Sequence, residues 1–300
     1  MTSHATPRRQ PVLRFAPSPN GELHLGHALS ALVTHETAQR LGGRFLLRIE
    51  DIDPVRSRRA WINGIYRDLD WLGLRWETPV LHQSEHLADY RAAATRLEAM
   101  GLLYPCFASR AEILAATRDG PKDPDGAPLY PGLHRRLTRD EVDPRMAAGE
   151  PHVMRLNMAA AVEVAQARLC GAPLAFTEGA TRITVDPARW GDVVLQRKDT
   201  PTSYHLSVVV DDARQGVTHV TRGLDLFAAT DLHRLLQVLL DDAEPIYAHH
   251  RLMTDAGGRK LAKSARDTSL RHLRENGATP NQVRRLVDLD RALLEMAALT

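Results

Sequence analysis

The sequence predicts an α/β protein: a parallel sheet, an α+β unit inserted into it, and a short helical tail. Three observations carry this expectation. An apolar run at residues 12–16 passes through a Pro-rich turn and an amphipathic stretch into a second apolar run at 45–49, the order strand, crossover helix, strand. Another short run of β-branched character stands at Leu206-Ser207-Val208-Val209-Val210. Between them, residues 119–132 turn to Asp, Gly and Pro, the composition of a surface loop.

Each element has a local reason. Residues 12–16 read as a buried strand, and Pro17-Ser18-Pro19-Asn20-Gly21 turns the chain. A helix starts near Gly26, with Leu29, Leu32, Val33 and Leu41 near one face, and Gly42-Gly43 ends it. Phe45-Leu46-Leu47-Arg48-Ile49 is the next strand. A helical crossover makes these two strands parallel, so ligands belong at their carboxyl ends, where the 17–27 loop and Glu50 lie. Trp61, Ile65, Leu69 and Leu72 recur helically over 60–72, and a further helix is expected over 89–100. The chain therefore divides into a first half-domain (1–102), an insert (103–190), a second half-domain (191–250) and a loop with helical tail (251–300). The second half resumes with strands at 192–195 and 206–210 and a helix over 232–240. The tail is helical around 282–296.

Composition bounds the function. At 300 residues and 43% hydrophobic side chains, the chain has room for about two compact units. No apolar run approaches the roughly 20 residues that span a bilayer, and polar residues 1–10 lack a signal-peptide core, so a cytoplasmic protein is expected. A formal charge of +2 does not by itself indicate a nucleic-acid binder. The arginine clusters at Arg56-Ser57-Arg58-Arg59, Arg135-Arg136 and Arg284-Arg285 suit either phosphate contacts or solvated helix faces. Only Cys106 and Cys170 are present, which indicates no disulfide framework.

Two segments carry chemistry. In His24-Leu25-Gly26-His27 the imidazoles are three apart where a loop enters a helix, and unpaired backbone N–H groups there favour phosphate. Gly26 removes a side chain where backbone and nucleotide must approach closely. Far downstream, Lys260-Leu261-Ala262-Lys263-Ser264 follows the loop sequence Asp255-Ala256-Gly257-Gly258-Arg259, from which a lysine can close over phosphates. Taken singly, either segment also fits ordinary surface residues.

Together, the 17–27 and 260–264 segments resemble the HIGH and KMSKS signatures of class I aminoacyl-tRNA synthetases. Arg14-Phe15-Ala16-Pro17-Ser18 and Arg48-Ile49-Glu50-Asp51-Ile52-Asp53 narrow the resemblance to the glutamyl and glutaminyl branch. From residue 14 to 264 it is closest to the glutamyl-queuosine tRNA(Asp) synthetases. This implies a Rossmann-type nucleotide-binding domain with an inserted acceptor-type domain. It also implies no anticodon-binding domain, because the chain stops about 36 residues after the second signature. The implied reaction is tRNA-independent activation of L-glutamate by ATP, with Mg2+, followed by transfer of glutamate to the queuosine base in the anticodon of tRNA(Asp). The implied partners are L-glutamate and the anticodon stem-loop, bound by a monomer, with the Arg56 cluster and the insert surface as candidate RNA contacts.

The resemblance also implies roles. His24, His27, Lys260, Lys263 and Ser264 are catalytic, the imidazoles acting as donors to ATP rather than as general bases. Pro17 and Gly26 join His24, His27 and Lys263 around ATP. Arg14, Phe15, Ala16, Pro17, Ser18, Glu50, Tyr204 and Arg222 form the glutamate pocket, with Glu50 on the substrate ammonium. Arg222 favours glutamate over glutamine, since an amide NH2 would face a group that only donates. The plainer alternatives are that Arg48 and Glu50 form a strand-end ion pair and that Arg222 caps a turn. Two positions depart from the family pattern: Ala262 stands where serine is common, and His205 where full-length glutamyl enzymes place asparagine.

Small members of the family often carry a zinc site, Cys-x-Cys followed by Tyr-x-Gly-x-Cys. Here the matching segments are Cys106-Phe107-Ala108 and Tyr130-Pro131-Gly132-Leu133-His134, leaving only Cys106, Tyr130 and His134 as possible ligands. Structural zinc takes four Cys or His ligands, so no stable zinc is expected. Three other functions compete: a glutamyl-tRNA synthetase fragment charging a tRNA 3′ end, a catalytically silent RNA-binding paralogue, and a small-molecule nucleotidyltransferase.

Overall fold

The computed structural model describes residues 10–118, 120–253 and 269–299. The first elements are β1 (Val12–Phe15), α1 (Leu25–Arg40), β2 (Arg44–Ile49), α2 (Arg59–Trp71), β3 (Leu81–His82) and α3 (Leu87–Ala99). Next come β4 (Leu103–Cys106), α4 (Arg110–Ala116), α5 (Arg139–Ala147), β5 (Val153–Leu156), α6 (Met158–Arg168), β6 (Ala175–Glu178), β7 (Thr181–Thr184) and β8 (Val194–Gln196). The chain continues through α7 (Tyr204–Arg214), β9 (His219–Gly223), α8 (Thr230–Leu240) and β10 (Ile246–His250). It closes with α9 (Leu270–Glu275), α10 (Pro280–Leu286) and α11 (Leu289–Glu295).

β1, β2 and β3 are parallel neighbours in that order, and β9, β10 and β6 form a second parallel set with β7 antiparallel at its edge. The two sets meet where Thr218 N–H donates to Val12 O at 3.0 Å and Val12 N–H donates to Thr218 Oγ1 at 2.8 Å. Strand order therefore runs outward in both directions from the β1/β9 seam, the switch point at which α/β sheets open a crevice.

Alternation along the strands decides which residues enter that crevice. Leu13, Phe15, Phe45, Leu47 and Ile49 pack with α1, α2, α10 and α11 on one face. Val12, Leu46, Val220 and Tyr247 pack with α3, α6, α7 and α8 on the other. With a period of two, Arg14, Arg48, Glu50, Arg222 and His249 share the second face. The α1 helix is held by its buried stripe of Leu29, Leu32 and Val33, each fully excluded from solvent, and by Thr34 Oγ1, 2.6 Å from Thr221 Oγ1. Arg251, just past β10, donates to the carbonyls of Val287 and Asp288 at 2.9 and 3.1 Å, tying the tail to the sheet.

Three expectations need correction. The 206–210 run is helical: it lies inside α7, with Leu206, Ser207, Val208 and Val209 all buried between the sheet and its neighbours. A short apolar run buried on most sides gives no periodicity that separates helix from strand, and tertiary burial overrides the weak helix preference of valine. Strand pairing also crosses the expected boundary at residue 190 in both directions. β8 joins β4 and β5 in a small antiparallel sheet rather than resuming the parallel one, whereas β6, from within the expected insert, pairs with β10. Finally, β9 and β10 have no counterpart in the sequence expectation. Their threonine, arginine and histidines give no clear apolar alternation, and their partners lie elsewhere in the sheet and its neighbours. No helix among the described residues is long and apolar enough to cross a membrane.

Because Leu32 is enclosed on every side, Leu32→Ala is expected to lower the unfolding free energy by about 2–5 kcal/mol in chemical denaturation. A change below about 1 kcal/mol would contradict the packing described.

Candidate active site

A cavity of about 530 Å3 opens at the switch point. Its walls come from the end of β1 and the turn after it, the first turn of α1, Glu50 after β2, Tyr204 of α7, the end of β9, and His250 at the end of β10 with residues 251–253 after it. His24 is the N-cap of α1, in extended conformation, and its Nδ1 accepts from Gly26 N–H at 3.0 Å. His24 N–H in turn donates to His27 Nδ1 at 3.2 Å. Each neutral imidazole thus uses Nδ1 as acceptor and carries its hydrogen on Nε2, a donor at the positive end of the α1 dipole; the Gly26, His27 and Ala28 N–H groups, expected to be unpaired, are instead capped by His24. The rings are 3.9 Å apart. A Cβ on Gly26 would lie 2.9 Å from His24 Cε1, so Gly26 is required by the His24 ring itself, a closer constraint than the approach of a ligand.

Behind the cavity lies a buried charge network. Asp212 accepts from Arg14 Nε at 2.9 Å and NH2 at 3.2 Å, a two-point contact, and from Arg48 NH1 at 2.7 Å. Burial opposes its ionisation, yet Arg14 and Arg48 hold the Asp212 carboxyl below the usual carboxylate range. Asp211, beside it, is pushed up by burial while accepting from Gln83 Nε2 at 2.7 Å and Tyr90 Oη at 2.9 Å. Glu50 stands 3.5 Å from Arg48 NH2, and burial raises its carboxyl to about 7 although Arg48 and Arg14 pull the other way.

Arg222 is held differently. Its Nε donates to His249 Nε2 at 3.0 Å, NH1 to His233 Nδ1 at 3.0 Å and NH2 to Thr230 Oγ1 at 2.7 Å. Among the described residues no carboxylate is in ion-pair contact with it. A buried cation that meets only neutral acceptors is costly unless a ligand supplies the counter-charge.

Residues 11–291 match the family described as tRNA synthetases class I (E and Q), catalytic domain. The chain belongs to this family. This class I synthetase is 46% identical to the glutamyl-Q tRNA(Asp) synthetase of Rhodobacter capsulatus over 284 residues, 93% of this chain and 100% of that one. It is 41% identical to the glutamyl-Q tRNA(Asp) synthetase of Symbiobacterium thermophilum, across 90% of this chain and 83% of the relative. The crystal structure of glutamate-tRNA synthetase from Elizabethkingia anophelis superposes with a TM-score of 0.76 at 24% identity. That match covers 97% of this chain and 65% of that one, and it speaks to the fold alone.

Arg14, Phe15, Ala16, Pro17, Ser18, His24, Gly26, His27, Glu50, Tyr204 and Arg222 of the synthetase all border the one cavity. Lys260, Lys263 and Ser264 lie outside the described residues. The described chain stops at Met253, in the cavity wall, and resumes at Ser269, which is bridged to His24. Arg48 and Glu50 do form the strand-end pair that was the plainer reading, within a network that also borders the cavity. Arg222 sits inside β9 and caps no turn.

Sequence reasoning missed Asp211, Asp212, His233 and His249. A signal existed for the acids: read with helical period, Tyr204, Val208, Asp211 and Asp212 fall on one face, opposite two buried arginines.

The possible metal ligands are spent on one another. Cys106 Sγ donates to Tyr130 Oη at 3.2 Å, His134 N–H donates to the same oxygen at 2.9 Å, and His134 Nδ1 accepts from Phe107 N–H at 3.0 Å. The Arg155 guanidinium lies 3.8 Å above the Tyr130 ring, a cation where a metal would need anionic donors. These residues do not fit a zinc ion. Of the arginine clusters, Arg56 pairs with Asp53 at 2.8 Å, Arg135 with Asp192 at 2.6 Å and Arg284 with Glu36 at 2.8 Å, which leaves Arg58, Arg59, Arg136 and Arg285 as the exposed members without a described ion pair.

Asp212→Asn keeps the shape but removes the charge that both arginines share. Its expected effect is a loss of about 3–5 kcal/mol of unfolding free energy, and stability equal to that of the parent protein would contradict the network.

Proposed function

We propose that this synthetase activates L-glutamate with ATP, in the absence of tRNA, and transfers the glutamyl group to the queuosine base in the anticodon of tRNA(Asp). The observation that carries the amino-acid assignment is the uncompensated charge of Arg222 in the cavity: a side-chain carboxylate satisfies it and a carboxamide does not. The choice of acceptor rests on the glutamyl-Q tRNA(Asp) synthetases, one of which matches along its whole length.

In this reading the substrate carboxylate attacks the α-phosphorus of ATP and pyrophosphate departs, so negative charge grows near the start of α1. The Nε2–H donors of His24 and His27, at the positive end of the α1 dipole, stabilise that charge. Pro17 and Gly26 shape the same wall. Lys260, Lys263 and Ser264 complete the phosphate contacts, with Mg2+ accompanying ATP. Arg14, Phe15, Ala16, Pro17, Ser18 and Tyr204 line the amino-acid side, and ionised Glu50 receives the substrate ammonium beside Arg48. The antiparallel sheet of β4, β5 and β8 is the inserted acceptor-type unit. The protein acts as a monomer, and Arg58 and Arg59 with the insert surface contact RNA phosphates.

The acceptor is tested by supplying radiolabelled glutamate and ATP with tRNA(Asp) that contains or lacks queuosine. Pyrophosphate exchange without RNA and label only on the modified tRNA are expected. Exchange that requires tRNA, or label on the 3′ end, would assign the chain to ordinary tRNA charging.

Glu50 supplies a pH test. Burial raises its carboxyl to about 7, and only the ionised form attracts an ammonium, so glutamate affinity should rise as pH increases through about 7 and level off above it. The folded protein holds that proton more tightly than the unfolded chain, so the same ionisation costs stability between the ordinary carboxylate range and 7. Titration calorimetry at several pH values should find this rise in the parent protein and not in Glu50→Gln; the same slope in both would remove Glu50 from the ammonium site.

A further inference from the structure

The groups around Arg222 form a chain whose hydrogens can be placed one after another. A guanidinium only donates, so His249 Nε2 and His233 Nδ1 must both be bare acceptors. His249 then carries its hydrogen on Nδ1, which faces Glu178 Oε2 at 2.8 Å. His233 carries its hydrogen on Nε2, which faces His205 Nδ1 at 3.2 Å. One cation thus fixes the tautomers of three imidazoles. Burial, and next the charge of Arg222, lower the His233 and His205 rings, the latter to about 4, and burial lowers His249 as well, so all three are neutral near pH 7. Tyr204 packs edge-on against His205 and His233, at 5.3 and 5.6 Å between ring centres, so the same chain also supports a wall of the amino-acid pocket.

We infer that His205, His233 and His249 are positioning residues that hold the Arg222 fork through neutral acceptors and so reserve its charge for the side-chain carboxylate of the amino-acid substrate. This rests on the glutamate reading given above and deepens it. A buried arginine is most simply stabilised by a carboxylate, as Asp212 does for Arg14 and Arg48. Around Arg222 the carboxylate of Glu178 is instead set behind the His249 ring, where it orients the imidazole and makes no ion pair with the cation. Three of the five guanidinium N–H groups are engaged, in fixed directions, and two remain for a ligand. His205 and His233 therefore act as a pair, each requiring the other as its hydrogen-bond partner.

The test is glutamate-dependent exchange of pyrophosphate into ATP by the full chain, with KM measured separately for glutamate and ATP. His233→Glu places a carboxylate against Arg222 and should raise the glutamate KM about 10- to 100-fold, the loss of one or two charge-assisted hydrogen bonds, with the ATP KM within about twofold of the parent value. His233→Gln, whose amide oxygen still accepts from Arg222, should recover a glutamate KM within about threefold of the parent. Thr230→Asp brings a carboxylate to the third side of the fork and should reproduce the His233→Glu effect, which keeps the test decisive if one variant fails to fold. No exchange with glutamate by the parent protein would overturn the substrate reading itself. Normal exchange by the parent, with an unchanged glutamate KM in either folded carboxylate variant, would overturn this inference alone. Equal damage from His233→Gln and His233→Glu would do the same, because shape rather than charge would then be at work.

Discussion

Asp212 is the hinge on which the site turns. Its single carboxylate is shared by Arg14 at the end of β1 and Arg48 near the end of β2, and it reaches them from α7, so one buried anion fixes the relative placement of two strands and the helix that covers them. Alternation along the strands puts both arginines on the α7 face, and helical spacing along α7 puts Tyr204 and Asp212 on the face that meets them. Without that anion, two guanidinium groups would lie buried side by side and repel each other. With it, each has a hydrogen-bonded carboxylate partner, and the wall of the cavity is fixed.

The distribution of charge then assigns tasks. Arg14 and Arg48 already share the Asp212 carboxylate, so neither is the natural counter-ion for an incoming carboxylate. Glu50, adjacent to Arg48 yet pushed up to about 7, is poised to ionise when a cation arrives. Arg222 is enclosed by neutral imidazoles and a hydroxyl, with no carboxylate paired to it among the described residues. An amino acid with an acidic side chain offers an ammonium and a side-chain carboxylate at once, and it compensates both groups. In the proposed function the remaining α-carboxylate is directed toward the His24 and His27 end of the cavity, where the α1 dipole favours a phosphate.

Much of this was legible in the sequence. The β1–α1–β2 unit and the turn after β1 followed from local patterns that need no long-range information, whereas the grouping of Arg14, His24, His27, Glu50, Tyr204 and Arg222 was implied by the resemblance to class I synthetases, and these residues border one cavity. What was hidden depended on tertiary burial. Val208 and its neighbours looked like a strand because a helix buried on most sides shows no polar stripe. The strands that carry Thr221, Arg222 and His249 were not anticipated, because the polarity of these residues is satisfied only by partners elsewhere in the chain, among them Thr34, Thr230 and Glu178. Reading 206–210 as a strand also concealed Asp211 and Asp212, since only a helical period turns them toward the two arginines. The change of character at 119–132 correctly marked a loop, but composition could not reveal that β8 pairs with β5 while β6 returns to the parallel sheet.

The most direct measurement is a crystal structure with a non-hydrolysable glutamyl-adenylate analogue. The expected result has the side-chain carboxylate on Arg222, the ammonium against Glu50 and the phosphoryl mimic beside His24 and His27, with Asp212 still bridging Arg14 and Arg48. A side-chain carboxylate bound instead to Arg14 or Arg48, with Asp212 displaced and Arg222 unengaged, would contradict the division of labour among the three arginines.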